Sequence, residues 1–75
     1  MKTVSSQEKE SLRALLNKYV NAGNPLSIKR YKRIVCWLEG QTFLEIAAEE
    51  GVDPAAVGYS VKRDLDYVKK WGETI

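Results

Sequence analysis

The chain has 75 residues, with twelve Lys and Arg against ten Asp and Glu, one Cys and no His, for a formal net charge of +2. That length holds a single domain, residues 1–75, too small to be very stable unless something braces it, and one cysteine excludes an internal disulfide as the brace. The absence of histidine removes the commonest general base near neutral pH and, with a single cysteine, the usual zinc ligand sets.

In chain order, the first predicted helix spans about residues 5–22. Ser5 and Glu8 have the spacing of a capping box, in which each side chain satisfies the other residue's free backbone N–H. Leu12, Leu15, Leu16, Tyr19 and Val20 make its apolar stripe, and Gly23 with Pro25 stops it. The second, about 27–39, opens on Ser27 as N-cap, with Leu26 and Tyr31 spaced as a hydrophobic staple. Tyr31, Ile34, Val35 and Leu38 face inward, Trp37 lies at the flank, Cys36 reads as a small core residue, and Gly40 closes the helix.

The third, about 42–50, begins with a second capping box, Thr42 and Glu45, and turns Phe43, Ile46 and Ala47 to the core. Glu49 and Glu50 diverge on a helix and read as solvated. The fourth, about 54–71, starts from Asp53 as N-cap with Pro54 at the first helical position. Its stripe is Val57, Val61, Leu65 and Val68, running on to Trp71, with Gly72 expected to end it. No segment alternates as a half-buried strand does, so the fold class is all-α.

Charge is unevenly distributed. Residues 26–40 carry Lys29, Arg30, Lys32 and Arg33 against Glu39, a balance of +3, whereas residues 41–53 carry Glu45, Glu49, Glu50 and Asp53, a balance of −4. Such polarity orients a charged partner. The five glycines stand singly, so there is no phosphate-cradling loop. Met1 to Gln7 is polar with no apolar stretch behind it, and the longest apolar runs are too short to span a bilayer. The expectation is a cytoplasmic protein, not an enzyme, with no metal and no cofactor.

Residues 42–63 carry the functional signal: a short helix, a tight turn at Gly51 and a second helix reopened by Asp53 and Pro54. Ala47 sits where the two helices approach, and Ile46, Val52 and Val57 fill the angle between them. Leu26-Ser27, Glu39-Gly40, Glu45-Ile46-Ala47, Gly51-Val52-Asp53 and Val57 resemble the helix-turn-helix of LuxR-type response regulators, and equally region four of bacterial sigma factors. Both families share a "G-x-[ST]-x-x-E-I-A" opening and a "G-[IV]-S" turn. The likeness covers about residues 26–70 and implies a trihelical core with an additional N-terminal helix. Three departures stand out. Glu50 stands where a Leu is usual, Asp53 replaces Ser or Thr at the cap, and Pro54, Ala55, Ala56 and Gly58 open the recognition helix without side chains that pair with bases.

The resemblance implies a small DNA-binding transcriptional regulator, and the size suits a phage or mobile-element regulator or a fragment of a larger factor. The fourth helix is then its major-groove reader. Ala55, Tyr59 and Lys62 face base edges in that arrangement, Ala55 against a thymine methyl. Gln41, Thr42, Lys62 and Arg63 reach phosphates, helped by the N-terminus of the third helix, and Lys29, Arg30 and Arg33 extend the basic surface. The alternative is a protein-interaction module that binds RNA polymerase, a sigma factor or another regulator. A homodimer is expected, meeting through Val68 and Trp71 or through Val4 and Leu15.

Overall fold

The computed structural model describes residues 6–75, and every regular element in it is helical: α1 Ser6–Asn21, α2 Ile28–Leu38, α3 Phe43–Glu50 and α4 Pro54–Glu73. The chain is all-α. The caps explain the boundaries. The Ser27 side chain accepts from the Arg30 N–H at 3.2 Å and starts α2. Thr42 accepts from the Glu45 N–H at 3.1 Å while the Glu45 carboxylate accepts from the Thr42 N–H at 2.9 Å, so the capping box of α3 is complete. Asp53 accepts from the Ala55 N–H at 2.8 Å, with Pro54 following at a position that has no N–H to satisfy. The capping box expected at Ser5 lies outside the described residues.

α1 and α2 end in the same way. Gly23 and Asn24 donate back to the carbonyls of Val20 and Tyr19, and Gly40 and Gln41 to those of Trp37 and Cys36. α3 ends on Gly51 at φ 72°, a conformation that costs any residue with a Cβ. From there two residues suffice to redirect the chain into α4.

α4 is the spine. Val57, Val61, Leu65 and Val68 are buried along one side of it, met by Leu12 and Leu16 from α1, Ile34 and Leu38 from α2, and Ile46 and Ala47 from α3. Full burial of one such side chain stabilises by roughly 1.5–3 kcal/mol. Ala47, 1% exposed, is fully enclosed where α3 meets the core. Val20, at the edge of the α1 stripe, is 38% exposed and adds little. Two aromatic pairs close the ends: Tyr19 meets Trp71 edge-on at 5.5 Å, and Trp37 stacks on Phe43 at 6.1 Å.

Two expectations are corrected. Gly72 does not end α4, which runs to Glu73 and is capped by Thr74. Gly72 lies inside the last turn because Leu15 of α1 packs there, and a Cβ on it would stand 2.9 Å from Leu15 Cδ1. Val68 is 1% exposed and faces the core, so it offers no surface to a second subunit. Val4 lies outside the described residues. Among the described residues, no helix is long and apolar enough to cross a membrane.

Candidate functional site

Because α4 buries Val57, Gly58, Ser60, Val61, Asp64, Leu65 and Val68, the opposite side of its first three turns is left to Ala55, Ala56, Tyr59, Lys62 and Arg63, all exposed. Three of the predicted site residues on this helix, Tyr59, Lys62 and Arg63, therefore share one face with Ala55. Tyr59 is 66% exposed and does not fold onto Phe43, whose ring covers Gly58 instead. The Arg63 guanidinium lies over the Tyr59 ring, 5.6 Å from its centroid, an arrangement that stiffens both side chains without removing the cation from solvent. Lys62 makes no ion pair with another described residue. The nearest carboxylates flanking this face along the helix are Asp53, engaged in capping, and Asp66, 3.6 Å from Lys70.

Gln41 and Thr42 precede α3. The Thr42 hydroxyl and backbone are committed to the capping box, which also brings the Glu45 carboxylate to the end of the helix where an anion would otherwise sit. Gln41 is half-buried, and its backbone N–H closes α2.

The basic residues of α2 are arranged differently from the sequence expectation of an open positive surface. Arg30 Nε donates to Asp64 Oδ2 at 3.0 Å, and its Nη2 donates to Oδ1 of the same carboxylate. Arg33 Nε and Nη2 donate to Glu50 at 2.9 and 2.7 Å, and Arg33 Nη1 donates to the buried Ser60 hydroxyl at 3.2 Å. Lys29 stays largely exposed, 3.9 Å from Glu50. The reading of Glu50 as a solvated charge is thus corrected. Its side chain is 19% exposed, and the hydrogen bonds from Arg33 hold its carboxyl below the usual glutamate range despite burial.

The sequence expectation places Asp64 among the acidic residues that could interrupt the outer face of α4, and Ser60 nowhere; both are buried, and for Asp64 a signal existed. Residues 57, 61, 64 and 68 follow the apolar spacing of α4, so a carboxylate at 64 sits in the stripe and needs a buried partner. The spacing finds Asp64; it does not reveal Arg30, which is 34 positions away.

The described residues offer little other chemistry. No group of three or more Cys, Asp or Glu converges as a metal site among them, and burial, helped by Glu49 and Glu39, pushes the Cys36 thiol up and disfavours the thiolate. What the geometry provides is a convex helical face with two outward cations, backed by α3. No protein-family model matches the chain, and neither a curated protein nor a solved structure matches it.

Proposed function

We propose that this chain is a small DNA-binding transcriptional regulator in which α3, the Gly51 turn and α4 act as a helix-turn-helix within a trihelical core of α2, α3 and α4. The observation that carries this reading is the exposed face of Ala55, Ala56, Tyr59, Lys62 and Arg63 over the first three turns of α4, which presents two cations; the carboxylate one turn further on, Asp66, lies 3.6 Å from Lys70. In the major groove, the small residues at the start of α4 allow close approach, Ala55 meets a thymine methyl, Tyr59 and Lys62 reach base edges, and Arg63 meets phosphate. Most affinity then comes from released counterions.

A second reading is a module for a protein partner such as RNA polymerase, a sigma factor or another regulator. It is favoured by Leu44, 67% exposed on the acidic helix α3, and by the pairing of Arg30 and Arg33 within the chain. The double variant Lys62→Glu/Arg63→Glu separates the two. Both positions are exposed, so the fold is retained by circular dichroism and duplex binding is lost. A folded double variant that binds duplex DNA as the parent does refutes the groove-facing role of α4.

A further inference from the structure

Two arginines compete for one buried carboxylate. Asp64 is 2% exposed, which leaves water little part in satisfying it. Arg30 holds it with both arms of its fork, Nε at 3.0 Å from Oδ2 and Nη2 on Oδ1. Arg63, next to Asp64 in the chain, has its Nε only 3.9 Å from Oδ1, too far for a hydrogen bond but close enough to take the place of Arg30. With Asp64 occupied, Arg63 rests on the Tyr59 ring with its side chain 44% exposed on the outer face of α4.

We infer that Arg30 is a positioning residue. By saturating Asp64 it keeps Arg63 turned outward, available to phosphate, and it does not itself contact DNA. The inference rests on the DNA-binding reading above but assigns Arg30 a different part from the phosphate contact that its charge suggests. A buried carboxylate deprived of one cation recruits the next within reach, because leaving it unpaired is costly. Removing Arg30 therefore draws the Arg63 guanidinium from 3.9 Å to hydrogen-bond distance of Asp64, off the Tyr59 ring and away from phosphate.

The test is a set of salt titrations of the full chain with a mixed-sequence DNA duplex. Arg63→Met flattens the slope of log K against log salt by about 0.9 and lowers affinity about eightfold at 0.1 M salt, the effect of one lost phosphate contact. Arg30→Met produces the same deficit, and adding Arg63→Met to it changes nothing further. Arg30→Met/Asp64→Asn restores the parental slope, since no carboxylate remains to capture Arg63. A double variant that keeps the deficit overturns the inference and makes Arg30 a phosphate contact; an Arg30→Met protein with the parental slope also overturns it, since Arg63 then stays on the docking face without Arg30. Where Arg30→Met does not fold, Arg30→Lys, which loses the fork but keeps a cation, shows the same direction and the same rescue by Asp64→Asn. A parent that binds no duplex DNA defeats the DNA reading alone. The pose is then decided by urea unfolding: the coupling between Arg63→Met and Asp64→Asn is larger in the Arg30→Met or Arg30→Lys background than in the parent, and equal couplings overturn it.

Discussion

At the scale of single residues, Glu50 and Asp64 show how an acidic side chain can hold helices together without being visible as such in sequence. Glu50 follows Glu49, and nothing local distinguishes the two, yet one is exposed and the other receives a two-armed Arg33 fork. The partner comes from another helix, and adjacency in sequence carries no record of it. The consequence is a pH dependence with a definite sign. The folded-state pKa of Glu50 lies below its ordinary value of 4.5, chiefly through the Arg33 hydrogen bonds. Its contribution is therefore fully present above that value and is lost as pH falls through the lower folded one. Urea unfolding across the acidic range is expected to show this loss in the parent and a flatter profile in Glu50→Gln. At neutral pH the variant is less stable by about 1.5–3 kcal/mol, the worth of hydrogen bonds to a charged group. Equal pH profiles for the two proteins would exclude the Arg33 fork as a stabilising contact.

At the scale of elements, the helix starts were legible because a cap is a local device. Ser27, Thr42 with Glu45, and Asp53 with Pro54 each combine the residue types that satisfy free N–H groups at a fixed spacing, and each starts a helix as expected. The end of α4 was not legible. Gly72 has the signature of a stop, but what places a glycine there is Leu15, reaching across from α1. The contact of α3 with α4 makes a sharper case. Ala47 is fully enclosed and Gly58 lies under the Phe43 ring, 3.2 Å from where a Cβ would stand, with that ring itself stacked on Trp37. Ala47→Leu and Gly58→Val are each expected to destabilise by about 1–3 kcal/mol through overpacking. Ala56→Val, on the exposed side of the same helix, is expected to cost under about 1 kcal/mol. Thermal melts compare the three, and an unchanged melting temperature for Ala47→Leu contradicts the close α3–α4 approach.

At the scale of the molecule, α1 completes the core: Leu12, Leu16, Leu15 and Tyr19 cover the side of α4 that α2 and α3 leave open. The surface once expected to join two subunits is largely spent on this closure, with Val68 buried and Trp71 set against Tyr19. Trp71→Ala is accordingly expected to lower the stability of the isolated chain, by about 0.5–1.5 kcal/mol from the ring pair in addition to lost burial. An effect that appears only at high protein concentration places Trp71 in an interface instead. The electrostatics also differ from the residue count. A balance of +3 over residues 26–40 suggests a broad basic surface, but Arg30 and Arg33 are neutralised within the chain. The outward charge of the α4 face rests on Lys62 and Arg63, and it was legible because both lie off the apolar stripe.

The central claim, that this face meets the DNA backbone, is tested most directly by titrating the parent protein with mixed-sequence duplex DNA between about 50 and 200 mM salt. Lys62 and Arg63 alone give a slope of about −1.8 in log K against log salt, and additional phosphate contacts, Lys29 among them, steepen it by about 0.9 each. Binding that is absent at the lowest salt, or that does not change with salt, contradicts the account.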